Sequence, residues 1–535
     1  MKSLVNKFKI GGDVKTFTFA VMSSLFFTFT SCEKVIYMDA DDSRNSSVLD
    51  ENSSAHINDE GWMVYTPDTL TNFRNPGMGW TIYEEGWCFL PDGNWSGYNF
   101  NRFWTEIEAS NATKWSNILY VRCLWGDVET AEGVYAWDDP NSTFSKFVQK
   151  AKEHNLKLAF RIYFHGDKCV PDYVKEMGVQ CPNTTTDPKP HPKVDDPKFL
   201  QCFDKFLAAF AKEFDNPDLV EYIDGYNIGH WGEGNTSGPE YRNSENKEMV
   251  IDLLTSMYAK HFKRILTCTT FAGHNEAMMR KHALGKNGFL PRRDGVGGAT
   301  AENEQRLILE FTQQKKVPFI GESWYWFNKG ESCGTYPNPE DFNKVMRHTV
   351  DHMLQLHSNV CDARVPLECQ WWEVHLPDQV QKFITHGGYR LYPDMIKYNQ
   401  SGRKFSVFSV WRNYAQGLLP NNHPNWNKKY QVSFALVDKD GNAKYVASDN
   451  RANPGDWTNG VVNKSAGAGN VTCEKREDTK YMYITPFEVP EDITGEYTLC
   501  AGITDKTKNN EPGIELAVPK DMKIGKWVKI ANVKL

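Results

Sequence analysis

The chain of 535 residues lacks the short motifs that mark several common enzyme classes. No Gly-x-Gly-x-x-Gly turn follows any strand-like run, which argues against a dinucleotide-binding sheet. Gly-x-Ser-x-Gly is absent, so a serine esterase has no support. The 14 histidines are scattered and no Cys-x-x-Cys pair occurs, so we expect no metal site, no zinc knuckle and no cofactor.

An excess of positive charge is also missing. Lys and Arg number 61 against 68 Asp and Glu, whereas a nucleic-acid-binding protein needs a basic face, so we expect no nucleic-acid partner. Beyond the N-terminal segment, no apolar run is long enough to span a membrane. Hydrophobic residues make up 40% of the chain and charged residues 24%, which is the balance of a folded globular protein.

The N-terminal segment is typical of an export signal. Four lysines precede an apolar run over 17–29, which is too short to span a bilayer and is followed by Ser31 and Cys32. A small residue before a cysteine is similar to a bacterial lipoprotein cleavage site, which predicts a signal peptide over 1–31 and a lipid anchor on Cys32. A plain signal peptide with an incidental cysteine is the alternative. Residues 32–59 are rich in Ser, Asp and Asn and predict a flexible tether.

We therefore expect an exported protein held at the bacterial outer membrane or cell surface by its lipid, with the periplasm as the alternative. Of the 12 cysteines, one is Cys32, and the odd number that remains leaves at least one unpaired. Cys169 and Cys181 share one loop-like stretch and could form a disulfide. Most of the others fall in apolar runs, which indicates buried thiols.

The middle of the chain alternates strand-like and helix-like runs. Ser142 and Asp196 are predicted to cap helices, and 365–367 is predicted as the last strand. Repeated strand–helix units predict either a (β/α)8 barrel or a doubly wound sheet, and the missing dinucleotide turn favours the barrel. We place this barrel over residues 60–392. Other predicted strands cover 117–121, 156–164, 220–228, 264–270 and 317–320.

The pattern changes after residue 392. Short strand-like runs follow, separated by turn signals such as Asp440-Gly441, and no helical period remains. Residues 393–535 are therefore expected to form a β-sandwich of the Ig-like kind. The fold class that we expect is α/β, a (β/α)8 TIM barrel followed by a C-terminal β-sandwich.

Two glutamates end predicted barrel strands. Glu233 closes the run YNIGHWGE after the predicted fourth strand, and Glu322 closes FIGE after the predicted seventh. Active sites of such barrels lie at the C-terminal strand ends, and glycoside hydrolysis needs two carboxyl groups facing each other across the bond. Each Glu follows a Gly and has Trp nearby, which suits sugar stacking. The alternative is that either Glu is an ordinary surface or salt-bridged residue.

A loop motif resembles a known group of enzymes. Residues 125–137, WGDVETAEGVYAW, are similar to the loop after the second strand in the β-galactosidase and cellulase type of barrel (clan A). In that retaining clan the acid/base Glu follows strand four and the nucleophile follows strand seven, so the resemblance implies these roles for Glu233 and Glu322. The clan has Asn directly before the acid/base, whereas Gly232 stands here and Asn227 lies further back. An uncharacterised family of exported bacterial barrels with a trailing β-sandwich is also similar, at 75–80, 229–233 and 388–391.

Further candidates lie near the same strand ends. The side chains that we expect to contact a carbohydrate are Arg161, His165, Asn227, His230, Trp231, Trp324, Trp326 and Trp371. Arg161 has a structural Arg–carboxylate pair as its alternative, and Asp294 and Glu368 are reserve acids. Two functions remain open: a retaining glycoside hydrolase, or a lipid-anchored glycan-binding protein that has lost catalysis. The distance between the Glu233 and Glu322 carboxyl groups would distinguish them.

Overall fold

The computed structural model describes residues 54–91, 94, 96–183, 189–234, 236, 240–270, 275–324, 339–459, 461–465, 471–475 and 479–535. Residues 53–535 form one compact unit. The predicted signal peptide, Cys32, most of the predicted tether and Trp326 lie outside the described residues. The predictions made for them therefore stay predictions.

Eight parallel strands close into a barrel in chain order, each paired with the next and the eighth with the first. This closed parallel barrel with helices between its strands fits a TIM barrel, as predicted. The first four strands are Gly79–Glu84, Ser116–Leu124, Lys157–Tyr163 and Val220–Asp224. The last four are Leu266–Thr270, Leu290–Val296, Phe319–Ser323 and Ser358–Ala363.

The helices pack outside the barrel and begin where local chemistry predicts. Asp196 accepts from the backbone N–H of Lys198 at 2.8 Å, and Ser142 accepts from that of Ser145 at 3.0 Å, so both predicted caps are confirmed. The α-helices are Phe100–Ala109, Ala112–Trp115, Trp125–Val128, Thr143–Glu153, Asp172–Glu176, Pro197–Phe214, Lys247–His261, Glu276–Met279, Ala299–Lys315, Pro339–Gln355, Pro366–His375 and Pro377–His386. Arg280–Lys286 forms a π-helical turn.

The last strand predicted over 365–367 is wrong. The eighth strand is Ser358–Ala363, and Pro366 instead begins a helix. Proline suits the first helical turn because its missing N–H has no partner to find there. The true strand carries buried polar side chains such as Asn359, which donates to the carbonyl oxygens of Gly77 and Leu418 at 2.9 and 2.8 Å. Those partners are distant in sequence, so the composition of the strand did not reveal it.

Side chains inside the barrel change character along its axis. Residues two apart on a strand face the same side, so each strand contributes an alternating inward row. Near the N-terminal ends the buried inward residues are apolar or aromatic: Ile118, Tyr120, Ala159, Tyr222, Leu290, Ile320 and Val360. The next inward positions are charged and buried: Arg122, Arg161, Asp224, Arg292, Glu322 and Asp362. We call these six residues the charged layer.

Two antiparallel sheets occupy the C-terminal part of the chain. One holds Ala55–Ile57, Met63–Tyr65, Leu391–Ser401, Lys404–Asn413 and Tyr481–Glu488. The other holds Ala443–Asp449, Tyr430–Val437, Glu496–Asp505, Trp527–Lys534, Lys523–Ile524 and Glu511–Ile514. Two short hairpins complete the strands, Glu129–Ala131 with Val134–Tyr135 and Val461–Ser465 with Val471–Lys475.

The two sheets contribute to one hydrophobic cluster, but the predicted Ig-like sandwich and the division at residue 392 stay predictions. The strands Ala55–Ile57 and Met63–Tyr65 precede the barrel in the chain, yet they pair within the first of these sheets. This sheet therefore joins strands that precede the barrel in the chain with strands that follow it.

The segment that connects the two C-terminal sheets meets the barrel at the N-terminal ends of its strands. Asn359 accepts from the backbone N–H of Leu418 at 2.9 Å, and Thr267 contacts the His423 ring at 3.1 Å. The hydrophobic cluster runs on from the sheets into the lower barrel interior. The charged layer lies at the opposite end of the strands, so the two sheets and the layer occupy opposite faces of the barrel.

Candidate active site

Glu322 lies near the C-terminal end of the seventh strand and is surrounded by arginines. One oxygen accepts from Arg161 Nη2 at 3.3 Å and from Arg292, and the other accepts from Arg364 Nη2 at 2.9 Å. The residue is 2% exposed. Opposite charges this close favour the ionised form of a carboxyl group. Glu322 is therefore an ion-paired carboxylate at the position predicted for the nucleophile.

Glu233 is carried by a tight excursion of the chain after the fourth strand. Gly232 donates to the carbonyl oxygen of Gly229 at 3.0 Å, and Gly234 to that of Ile228 at 2.9 Å. Gly232 has a φ of 72°, and a Cβ there would lie 2.7 Å from the Cβ of Tyr163. Only glycine fits so close to the third strand. This explains why position 232 cannot carry the Asn of the resembled clan.

Arg161 joins the two glutamates. Its Nη1 lies 3.5 Å from Glu233 Oε1, and its Nη2 lies 3.3 Å from Glu322 Oε2. It also pairs with Asp224 at 2.9 Å and donates to the carbonyl oxygen of Trp231 at 3.3 Å. The side chain is fully buried, and these protein acceptors take up its donors. Arg161 thus makes the Arg–carboxylate contacts that were the alternative to sugar binding.

The two glutamates sit in different electrostatic surroundings. Burial raises the pKa of Glu233, and the negative charge of Asp294 raises it further, against the lowering effect of Arg161. Asp294 lies in the sixth strand and pairs with Arg293. A carboxyl group that holds its proton beside an ionised carboxylate is the arrangement that acid/base catalysis uses. The site therefore contains one candidate proton donor and one candidate nucleophile.

Several residues of this network were not singled out from the sequence. Asp224 accepts from Tyr120 Oη at 3.0 Å and pairs with Arg292 at 3.3 Å. Arg364 pairs with Asp362 at 3.0 Å and Glu85 at 3.2 Å. The sequence signal for Asp224 was its position two residues after the buried aromatic Tyr222 in the fourth strand. Arg364 was not recognised as a strand-end residue because the eighth strand was predicted at 365–367, whereas it ends at Ala363.

Three buried donors at this face have no hydrogen-bond partner anywhere in the described chain. They are Tyr83 Oη, Arg122 Nε and Arg292 Nη1. Tyr83 stacks on Tyr120 with ring centroids 4.5 Å apart, and the guanidinium of Arg364 lies over the Tyr83 ring at 5.2 Å from its centroid. Buried donors in folded proteins nearly always have acceptors. All three atoms are closed off from solvent, so a ligand would reach them only if the side chains around them move.

The predicted histidines lie together beside Glu233. His165 Nδ1 accepts from the backbone N–H of Trp231 at 3.2 Å, and its ring centroid lies 4.7 Å from those of His191 and His230. Trp231 is 49% exposed, and its ring centroid lies 3.7 Å from that of His230. The cluster thus places a half-exposed indole next to the candidate acid.

The remaining predicted residues lie at different distances from this centre. Asn227 is buried and donates to the Asp224 carbonyl oxygen, so it supports the fourth strand end. Trp324 directly follows the seventh strand and packs against Gly298. Trp371 Nε1 donates to Asn343 at 2.7 Å, between two outer helices, and is not brought to the charged layer.

The reserve acid Glu368 is buried behind the eighth strand. Trp372 Nε1 donates to it at 3.0 Å. Burial raises the pKa of Glu368 to about 8, with a further contribution from Asp362. It borders the charged layer through Asp362 and Arg364, and it lies within a helix rather than at a strand end.

The motif at 125–137 follows the second barrel strand, as the resemblance implies. Trp125 is buried among phenylalanines and donates to Glu129 Oε2 at 2.8 Å. The backbone N–H of Gly133 donates to the other oxygen of Glu129 at 3.1 Å. Glu129, the first Glu of the motif, therefore stabilises its own loop through these two hydrogen bonds.

In the parts of the chain that the structure describes, no group of three or more His, Cys, Asp or Glu side chains is arranged to hold a metal ion. None of the described helices is both long and apolar enough to cross a bilayer. Arginines face the described carboxylates of the charged layer.

The chain matches no protein-family profile and no curated protein, so the similarity to the exported bacterial family finds no support. Similar solved structures carry the names of glycosidases. The β-amylase catalytic domain of Paenibacillus polymyxa is 11% identical with a TM-score of 0.40, over 58% of this chain and 98% of that one. Endo-glycoceramidase II from Rhodococcus sp. is 12% identical with a TM-score of 0.36, over 79% and 100%.

A family 39 glycoside hydrolase from the gut symbiont Bacteroides cellulosilyticus WH2 is 9% identical with a TM-score of 0.38. It is matched over 72% of this chain and 82% of its own. Likenesses this distant carry no argument about activity, which has to come from the site itself.

Proposed function

We propose that the protein is a retaining glycoside hydrolase, with Glu233 as acid/base and Glu322 as nucleophile. The observation that carries the proposal is the Arg161 bridge, at 3.5 Å from Glu233 and 3.3 Å from Glu322. One planar guanidinium between two carboxyl groups keeps both beside the same small volume. Hydrolysis across a glycosidic bond requires such a pair, and the C-terminal face of a barrel is where it is found.

The two carboxyl groups divide the chemistry between them. In the first step Glu233 donates its proton to the glycosidic oxygen while a Glu322 oxygen attacks the anomeric carbon, so the bond to the leaving sugar breaks and a glycosyl ester forms. In the second step water attacks the same carbon, Glu233 takes its proton, and the ester bond breaks. The raised pKa of Glu233 supports its role as proton donor. The arginines that surround Glu322 support its role as an ionised nucleophile.

The free donors at the same face indicate how a sugar would be held. Tyr83 Oη, Arg122 Nε and Arg292 Nη1 are buried, and they would donate to hydroxyl oxygens of the substrate once the side chains that cover them move. Around Glu233, four guanidinium groups face four carboxylates in this network. The arginines are Arg122, Arg161, Arg292 and Arg364, and the carboxylates are Glu85, Asp224, Glu322 and Asp362.

Covalent labelling tests the assignment of the nucleophile. A panel of aryl glycosides first identifies a turned-over sugar, and its 2-deoxy-2-fluoro glycosyl fluoride is then expected to attach to Glu322. Proton NMR of the first product should show the anomer of the substrate. Labelling of another carboxylate, or initial release of the opposite anomer, would contradict the retaining assignment.

Chemical rescue tests the acid/base. Glu233→Ala should retain turnover on aryl glycosides with good leaving groups, which need no proton, and azide should accelerate the second step. Glu310→Ala is the matched control, since that Glu is 63% exposed on an outer helix. Equal loss on good and poor leaving groups would remove Glu233 from this role.

A non-catalytic glycan-binding protein is the second candidate. The observation that favours it is that arginines engage both oxygens of Glu322, which leaves less of the carboxylate for attack on carbon. Calorimetry with oligosaccharides, run beside the turnover assays, separates the two. Tight binding without turnover or labelling would favour this candidate.

We also propose that the protein is exported and held at the outer membrane by a lipid on Cys32. One acyl chain alone binds a membrane weakly, so stable attachment needs the two or three chains of a bacterial lipoprotein. Cys32→Ala should move the protein into the soluble fraction. Retention in the membrane fraction would rule the anchor out.

A further inference from the structure

The loop between the third barrel strand and helix Pro197–Phe214 folds back on itself beside the candidate site. Its two arms, 180–183 and 190–193, run antiparallel. Lys193 N–H donates to the Gln180 carbonyl oxygen at 2.9 Å, and His191 N–H to that of Pro182 at 3.0 Å. The start of the loop joins this pair of arms, because Gly166 N–H donates to the Pro190 carbonyl oxygen at 3.0 Å.

This arrangement brings two cysteines together. Cys169 N–H donates to the Gly166 carbonyl oxygen at 2.9 Å, which anchors it beside Pro190, and Cys181 stands on the facing arm. The two side chains lie close enough for each thiol to act on the pKa of the other. Cys169 is fully buried, whereas Cys181 is half-buried.

We propose that Cys169 and Cys181 form a disulfide that closes this loop at the mouth of the barrel. The backbone bonds at Gly166, Pro190 and Pro182 hold the segments that carry the two thiols side by side, so that side-chain rotation brings the sulfur atoms to bonding distance. The seven other described cysteines are Cys88, Cys123, Cys202, Cys268, Cys361, Cys369 and Cys500, and all are buried. The proposal is independent of the glycosidase assignment.

The two thiols differ in a way that sets the order of the reaction. Cys181 is half-buried whereas Cys169 is fully buried, so an incoming disulfide reaches Cys181 first, and contact with Cys169 and the charge of Lys175 also lower the pKa of Cys181. The Cys181 thiolate attacks a disulfide of low molecular weight, such as oxidised glutathione, or of an oxidising protein, and one thiolate leaves. Cys169 then loses its proton and attacks Cys181 in the mixed disulfide, which displaces the second thiolate. The protein loses two protons and two electrons, and the attacked disulfide is reduced.

The bond would stiffen the wall of the site. His191 belongs to the same loop and stacks on His165, which accepts from the backbone of Trp231. The bond would tie Cys169 to the arm 180–183, whose Pro182 carbonyl oxygen accepts from the backbone N–H of His191, so it would restrict the arm against which His191 is held. The disulfide would therefore hold the histidine cluster against the candidate acid loop.

The test counts cysteines in the exported protein, purified without reductant and trapped with N-ethylmaleimide after denaturation. We expect two additional labelled cysteines after reduction, and a peptide pair linking 169 to 181 that is about 2 Da lighter than its reduced form. Reduction should also lower the Tm by a few degrees. Equal labelling with and without reductant, or linkage of either cysteine elsewhere, would overturn the proposal.

Single variants test the order of attack without requiring the disulfide. Cys169→Ser should accumulate a mixed disulfide with glutathione at Cys181, whereas Cys181→Ser should leave the buried Cys169 unmodified. Cys202→Ser is the matched control, since its Sγ contacts Met177 Sδ at 3.6 Å nearby, and the linked peptide should persist there. Loss of that peptide in folded Cys202→Ser would contradict the pairing, as would glutathione on Cys169 rather than Cys181.

Discussion

The same eight strands form both ends of the barrel, but the side chains at one end are apolar and those at the other are charged. At the N-terminal ends, apolar side chains continue into the C-terminal sheets, and neutral amides such as Asn359 satisfy the backbone of neighbouring segments. At the C-terminal ends, the inward rows turn to arginines and carboxylates, and buried donors remain without protein partners. One end is therefore built for stability, while the other keeps costly buried charges, which proteins retain chiefly where chemistry needs them.

Removing the C-terminal sheets should have the largest effect on this comparison. A chain ending at residue 392 would expose the lower barrel cluster and lose the partners of Met63–Tyr65 and Asn359. We expect almost all of it to be insoluble, as measured by the soluble fraction after expression. Co-expression of residues 393–535 should restore solubility. A soluble barrel with a cooperative melt would show that its N-terminal end needs no cover.

Glu322→Gln should be the most damaging single change at the charged end. Turnover should fall at least about 10³-fold because no glycosyl ester can form. Stability should also fall, by about 3 kcal/mol, because buried arginines lose a charged partner. Steady-state kinetics and thermal melting measure both, with exposed Glu310→Gln as the control. Near-normal turnover in a folded variant would remove Glu322 from the mechanism.

Arg161→Lys separates positioning from charge at the same end. Lysine keeps one positive charge but cannot bridge Glu233 and Glu322, so kcat should fall about 100-fold. Arg161 lowers the pKa of Glu233, so weakening this contact should raise that pKa and extend activity to higher pH. The pH profile of kcat/KM checks the direction.

Arg74→Lys is the control for that change at the opposite end, where Arg74 donates to backbone carbonyl oxygens. It should cost stability and leave the pH profile unmoved. A profile that is the same in wild type and Arg161→Lys would contradict a positioning role.

Asn359→Ala tests the stabilising end alone. Its amide makes three hydrogen bonds to Gly77 and Leu418, and the buried backbone groups left behind should cost about 2–3 kcal/mol. The kcat of the folded fraction should stay unchanged, because the residue lies at the far end of the barrel. Urea unfolding and kinetics measure the two effects, with exposed Asn399→Ala as the control. A lowered kcat would show that the two ends are coupled.

Glu368→Gln should have the smallest effect, and it depends on pH. The pKa of Glu368 is raised from 4.5 to about 8, so the folded state holds a proton that the unfolded state releases. Its contribution to stability is full below pH 4.5 and is lost as the pH rises towards 8. The variant should match wild type near pH 4 and melt a few degrees higher near pH 8.5. Parallel melting curves at all pH values would contradict a buried, protonated Glu368.

Local periodicity explains what the sequence predicted well. Ser142 and Asp196 were predicted as helix caps because a capping side chain bonds to the backbone within three residues. The alternation of strands and helices was predicted from hydrophobic periodicity, which also depends only on residues near each other in the chain. The positions of Glu233 and Glu322 after strands four and seven followed from counting those strands. The strand Ser358–Ala363 was not predicted, because its buried polar side chains form hydrogen bonds with residues far away in the sequence.

The sequence by itself determined which residues share one face of each barrel strand, because alternation is a property of the backbone. Only the tertiary structure decided that Arg161 bridges Glu233 and Glu322, that Gly232 must lack a side chain beside Tyr163, and that Met63–Tyr65 joins a sheet from the other end of the chain. Ion pairs and close backbone approaches depend on distances between segments far apart in sequence. Those distances exist only once the barrel has closed and the charged rows of separate strands share one face.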